Sequence, residues 1–359
     1  MKIDCVRFYV DDAQKWRDWF ARAMQFRHVA GGRNRHSQIE VVRCGAIAFV
    51  LSSPLTGEGS VAEFLRVRPP GVADVTFLVA DLDRIMKGAI ARGAKILQPI
   101  ACQHFPQGRL RWSKIEGSAS LSHTLVERLG ITPFLPEQDF DAVNLPPPAD
   151  SLFSEIDHLV LNVAVGELEK TVSWYEEILG FERRQTFAIQ TERSGLYSQV
   201  LVHPESGVQM PVNEPTSANS QIQEFLDFNG GSGVQHIALK TKNIISTICQ
   251  LQKAGLSFLE VPPNYYVQQQ QQYGNLNLAP REWEALERSQ ILIEGQPVDG
   301  DSAPVLLQIF TQPIFGQPTF FFEFIERRDR AQGFGEGNFR ALFEAIEKEQ
   351  AKRGQFSAD

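Results

Sequence analysis

The 359-residue sequence predicts an α+β fold of two tandem domains, because its halves resemble each other and each alternates strand-type runs with helical ones. The stretch Phe8 to Phe26 parallels the stretch Leu161 to Phe181. The run GVADVTFLV at 71–79 parallels GVQHIALKT at 233–241. A helical pattern closed by glycine follows each. Leu82, Ile85, Ala89 and Ile90 share one face before Gly93, and Ile244, Ile245, Ile248 and Leu251 share one before Gly255. New strands are expected at 94–97 and 256–259. Each half therefore holds two strand–helix–strands modules.

Between the halves, Pro133, Pro136, Pro146, Pro147 and Pro148 cannot continue a helix or a central strand. The sequence thus divides into an N-terminal domain at 1–132, a proline-rich linker at 133–154 and a C-terminal domain at 155–359. Asn219-Ser220 and Gly230 to Gly233 read as turns; no phosphate-loop GK[ST] follows them. The polar run Gln268 to Gln272 reads as an exposed helix or loop without chemistry. A last helix at about 338–350 follows GFGEGN, and Phe339, Leu342, Phe343 and Ile346 give it one apolar face.

Bulk composition excludes several classes. A net charge of −8 argues against non-specific binding to nucleic acid or to acidic membranes. No apolar run approaches the ~18 residues of a membrane span, and the N-terminus shows no secretory pattern. Four scattered cysteines, with no CxxC spacing, fit a reduced, cytoplasmic compartment. Phenylalanine is in excess, at 25 residues.

The chemistry concentrates in the second half. His158 lies in IDHLV, His236 in GVQHIAL and Glu323 in FFEFIER, all strand-type runs. One histidine in an apolar strand is usually a hydrogen-bonded core residue. Two histidines and a carboxylate on neighbouring strands are the donor set of a 2-His-1-carboxylate iron(II) site. A carboxylate inside FFEF is costly to bury unless a cation or hydrogen bonds compensate it. The repeat supplies a control: the matching positions in the first half are Cys5, Asp74 and Thr124. One metal site, in the second half only, is expected.

Further strings, in order, carry a family resemblance: PVNEP at 211–215, SQIQEF at 220–225, Tyr265-Tyr266, LLQIFT at 306–311 and GFGEGNF at 333–339. With the three ligand runs they span about 155 to 350. The C-terminal half resembles the 4-hydroxyphenylpyruvate dioxygenase family of the vicinal oxygen chelate superfamily; the first half resembles it in architecture more than in sequence. The resemblance implies paired βαβββ modules and an open barrel-like sheet around Fe(II) in the C-terminal domain. It implies conversion of 4-hydroxyphenylpyruvate and O2 to homogentisate and CO2 by oxidative decarboxylation, ring hydroxylation and side-chain migration, in tyrosine catabolism or quinone and tocopherol supply. It also implies a homo-oligomer, dimer or tetramer.

The resemblance assigns Ser198, Asn213 and Gln221 to the phenolic end of the substrate and Gln235 and Gln308 to the oxo-acid end, near iron. Phe310, Phe334 and Phe339 form the aromatic wall, and the last helix gates the site. The alternatives are 4-hydroxymandelate synthase, which oxidises the benzylic carbon of the same substrate, and a non-catalytic binding protein on the same fold. Asn213-Glu214-Pro215 and the full GFGEGNF string resemble the ring-hydroxylating branch more closely.

Overall fold

The computed structural model describes residues 1–135, 151–190, 194–262, 264–273, 276, 278–295 and 303–352. The N-terminal half runs β1 (Lys2–Tyr9), α1 (Ala13–Ala23), β2 (Arg27–Arg33), β3 (Ser37–Cys44), β4 (Ile47–Pro54), α2 (Ser60–Val67), β5 (Gly71–Leu78), α3 (Leu82–Ala91), β6 (Ile96–Phe105), β7 (Gly108–Glu116) and β8 (Ser122–Gly130). The C-terminal half runs β9 (Glu155–Asn162), α4 (Leu168–Leu179), β10 (Glu182–Gln190), β11 (Gly195–Val202), β12 (Gln209–Pro215), α5 (Gln221–Asn229), β13 (Gly233–Lys240) and α6 (Ile244–Lys253). It continues with α7 (Tyr265–Tyr273), α8 (Pro280–Arg288), β14 (Leu292–Gly295), β15 (Val305–Phe310), β16 (Phe321–Arg328) and α9 (Phe339–Lys352).

Each half builds one eight-stranded sheet, ordered β2-β3-β4-β1-β5-β8-β7-β6 and β10-β11-β12-β9-β13-β16-β15-β14. Two βαβββ modules meet at the central antiparallel pair, β1–β5 or β9–β13, and parallel pairs flank it. This is the tandem α+β architecture expected from the repeat. The two sheets also share their irregularities. The β9–β13 ladder slips at Asp157 and at Gln235, and the β1–β5 ladder slips at the matching Asp4 and Ala73. Such bulges re-aim the inserted residue and its neighbour.

Strand period 2 separates core from site. On β16, Phe322 and Phe324 are fully buried, Phe322 against Phe20 and Phe49 of the first half, while Glu323 and Ile325 face the other way. Phe8 meets Phe320 edge-on at 5.1 Å, Phe49 packs on Phe322 at 5.7 Å and Trp16 on Phe315 at 4.6 Å. One hydrophobic core thus runs through both halves. The phenylalanine excess is spent there.

Two expectations need correction, and a third, the linker, is only partly described. Residues 136–150 of the predicted linker lie outside the described residues, but Phe153 near its end is a core residue stacked on Phe324 at 5.0 Å. Residues 256–259 form no strand: Phe258 makes one isolated bridge to Thr311, and the chain inserts α7 and α8 before β14. On α3, Leu82, Met86 and Ala89 are buried, whereas Ile90 is exposed, so the apolar face is rotated from the expected one. The glycine stops hold, with Gly93 and Gly255 both at positive φ. The glutamine run sits on α7, which is exposed apart from Tyr265, Tyr266 and Gln269.

Candidate active site and metal centre

His158 is on β9, His236 on β13 and Glu323 on β16, three adjacent strands of one sheet. All three are buried, at 3%, 7% and 2% exposure. Their ligand atoms lie within 4.8 Å of one another, and no other such group occurs among the described residues. Glu323 Oε2 is 3.2 Å from His158 Nε2 and 3.6 Å from His236 Nε2.

The two bulges explain how these nitrogens are aimed. Bulged Asp157 places Oδ1 2.9 Å from His158 Nδ1, and bulged Gln235 places Oε1 3.0 Å from His236 Nδ1. Each ring therefore donates Nδ1–H outward and turns Nε2 toward Glu323, the arrangement that orients metal-binding histidines. Arg327 grips Asp157 with two bonds, at 2.6 and 2.7 Å, and donates to the carbonyl oxygens of Ala331 and Gly333. Gln235 thus acts on His236 as well as lining the cavity.

Electrostatics tie the three groups together. Burial opposes charge on Glu323, yet both histidines hold its carboxyl down at about 2. Burial likewise opposes a proton on His158, but Glu323 and Asp157 raise it to about 9. His236 is lowered, because burial outweighs the pull of Glu323. The cluster favours one positive charge beside the carboxylate. The donor set, two imidazole nitrogens and a carboxylate oxygen with their backs secured, fits a divalent transition metal with open positions.

From the triad a cavity runs across the sheet toward β11, β12 and α5. Phe310, Phe334, Phe321 and Phe187 line it, with Leu342, Phe343 and Ile346 of α9 over the mouth. Phe334 meets the His158 ring edge-on at 5.1 Å and Phe310 meets the His236 ring at 6.3 Å. Ser198, Asn213 and Gln221 also line the cavity, on β11, β12 and the start of α5. Gln221 Oε1 is buried without a hydrogen-bond partner, and so is Asn162 Nδ2, whose own Oδ1 accepts from Asn213. Phe339 begins α9, but its side chain lies outside the described residues.

Gln308 links the metal side to the last helix. Its Nε2 donates to Glu323 Oε1 at 2.8 Å and to the Phe334 carbonyl at 2.9 Å, and its Oε1 accepts from Asn338 Nδ2. Tyr265 O–H in turn donates to Asn338 Oδ1 at 2.6 Å. Gly335, with φ +79°, runs against the Gln308 amide, and a Cβ there would collide with it. Sequence reasoning assigned no role to Asp157, Arg327, Asn162 or Asn338. The first two had a signal in the repeat, because Asp4 pairs with Arg128 at 2.8 Å at the matching positions of the first half.

Residues 155–282 match the family described as "Glyoxalase/Bleomycin resistance protein/Dioxygenase superfamily". The chain is 36% identical over 368 residues to a 4-hydroxyphenylpyruvate dioxygenase of Danio rerio, covering 98% of this chain and 91% of that one. It is 38% identical over 372 residues to the enzyme of that name from Caenorhabditis briggsae, covering 98% and 92%. The chain belongs to the 4-hydroxyphenylpyruvate dioxygenase family. It is accordingly an oxidoreductase of the dioxygenase class. A solved structure of a 4-hydroxymandelate synthase mutant from Streptomyces coelicolor shares the fold, with a TM-score of 0.86 at 24% identity over 97% of this chain and 98% of that one. The likeness to 4-hydroxyphenylpyruvate dioxygenases spans both halves, so the first half belongs to the family as much as the second. Among the described residues, no helix is long and apolar enough to cross a membrane.

Proposed function

We propose that the chain converts 4-hydroxyphenylpyruvate and O2 to homogentisate and CO2, with iron(II) held by His158, His236 and Glu323. The observation that carries this reading is the polarity of the cavity's two ends. One end presents the buried triad; the other presents Gln221 Oε1, an acceptor buried without a partner, beside Asn213 and Ser198. A phenol hydroxyl donates to such an acceptor, and an unmade hydrogen bond there costs ~1–3 kcal/mol. Bound iron(II) supplies the open positions and the electrons through which a 2-oxo acid and dioxygen react.

The chain's own residues do the rest. Asp157 and Gln235 fix the histidine tautomers, so both Nε2 atoms face the metal. Gln308 holds Glu323 with a neutral amide, which orients the ligand without adding charge. Phe310 and Phe334 set the plane of the substrate ring by edge and face contacts. Leu342, Phe343 and Ile346 cover the mouth and exclude water from the reacting atoms. Ser198 borders the phenolic end, and Phe339 enters the same helix that closes it. The half from 155 onward is the catalytic domain, and 1–132 carries no metal. The working form is a cytoplasmic homo-oligomer.

Oxygen uptake by the iron-loaded protein tests the reading. With 4-hydroxyphenylpyruvate we expect kcat/KM at least about tenfold above that with phenylpyruvate, which lacks the hydroxyl. Equal values would remove the phenol-binding role of Gln221 and Asn213. No uptake with either acid would remove the assigned reaction.

A further inference from the structure

The first half keeps a cavity at the position that mirrors the active site. Counted with the solvent open to each, its empty space is about 780 Å³, against about 600 Å³ in the second half. The strand ladders give the correspondence position by position. Ser52 pairs with Tyr9 as Asn213 pairs with Asn162, so Ser52 stands where Asn213 stands. Lys114 pairs with Thr124 as Phe310 pairs with Glu323, so an ammonium replaces the aromatic wall. Trp112 takes the place of Gln308 in the same way.

The replacements are chemically coherent. Where the second half has His236, the first has Asp74, fully buried, whose carboxylate accepts from Thr76, Ser122 and Thr124 at 2.8–2.9 Å. Lys114 Nζ lies 3.7 Å from Asp74, too long for a hydrogen bond. Three hydroxyls thus hold Asp74, and Lys114 beside it keeps donors to spare. Ser52, 1% exposed, lines the same cavity, and its Oγ has no hydrogen-bond partner. A buried hydroxyl left unpaired is costly, and a ligand oxygen would recover that cost. Gln98 and Trp112 line the cavity too and add amide and indole N–H groups. Asp4 and Arg128 on the wall are paired with each other.

We propose that this cavity is a second ligand site, specific for a small hydrophilic carboxylate held by Lys114 and Ser52. A carboxylate accepts hydrogen bonds only, so it suits the ammonium and hydroxyl donors that line this cavity. The duplicated fold has exchanged a metal-binding cavity for an anion-binding one, and the proposal is independent of the reaction assigned to the second half.

Titration calorimetry of the iron-loaded full-length protein with sodium malonate tests it. We expect a saturable site with Kd below about 1 mM. Ser52→Ala breaks no existing hydrogen bond, so it folds normally, and Lys114→Met removes the cation; each is expected to weaken malonate at least about tenfold. Asn213→Ala, the mirror-image change in the second half, should leave the affinity unaltered. Absence of saturable heat up to about 10 mM would show a merely water-filled cavity and overturn the proposal. Binding that ignores both first-half substitutions would overturn it as well.

Discussion

At the residue scale, the site rests on one carboxylate that has no reason to be buried other than its partners. Glu323→Gln keeps the shape and the Gln308 contact but removes the charge between two histidines. We expect it to lower iron affinity or turnover by at least about a hundredfold, with an unchanged circular dichroism spectrum; normal activity would remove Glu323 from the site. Protonation adds a second expectation. In the metal-free protein His158 titrates at about 9, so at pH 7 it carries a proton that a metal must displace. Iron(II) uptake at pH 7 should release about one proton, read as a buffer-dependent binding enthalpy, and affinity should fall as pH falls. The triad was legible because each ligand interrupts an apolar strand and its repeat partner, Cys5, Asp74 or Thr124, differs. Asp157 and Gln235 were not legible as orienting groups. Period-2 reasoning points them away from the site, and only a bulge, invisible in composition, turns them toward His158 and His236.

At the element scale, the entry to α9 is coupled to Glu323 through hydrogen bonds. Gln308 joins Glu323 to Phe334 and Asn338, and Arg327 joins Asp157 to Ala331 and Gly333. The segment entering α9 is thereby fastened to Glu323 and, through Asp157, to His158. Gly335→Ala places a methyl group on the Gln308 amide at a backbone conformation that disfavours side chains. We expect it to cost turnover at least about tenfold and to speed proteolysis of the last helix, while the melting temperature of the rest is nearly kept. Unchanged kinetics would show that α9 closes independently of Gln308. The apolar face of α9 was readable from Leu342, Phe343 and Ile346 at helical spacing. The α7–α8 insertion was not, because LSFL at 256–259 has strand composition, and only the tertiary ladder decides that β14 starts at Leu292.

At the scale of the whole molecule, the halves form one folding unit. Phe320 and Phe322 of the second half are buried against Phe8, Phe20 and Phe49 of the first, and His123 of the first half bonds Tyr175 O–H of the second at 3.0 Å. Burial holds His123 down to about 4, with Asp74 opposing. The unfolded chain binds this proton near pH 6.5, so the folded state loses stability as pH falls from 6.5 through about 4. The loss amounts to roughly 2–3 kcal/mol by pH 4.5 and should vanish from the pH dependence of melting in His123→Phe. Cys5→Ala should leave iron content unaltered: burial, with Asp4 beside it, pushes that thiol up to about 12, so it does not ionise as a metal ligand must. The tandem architecture was visible from the repeat alone. The shared core was not, because a phenylalanine on the outer face of a strand looks the same whether it meets its own helix or the other half.

Product identification tests the central claim most directly. The protein is loaded anaerobically with iron(II), mixed with 4-hydroxyphenylpyruvate and exposed to oxygen, and the products are separated by chromatography. The account predicts homogentisate with an equal amount of CO2. Hydroxymandelate would keep the fold and the metal site but contradict the assigned reaction, and absence of both from a folded, iron-loaded sample would contradict the account of the site itself.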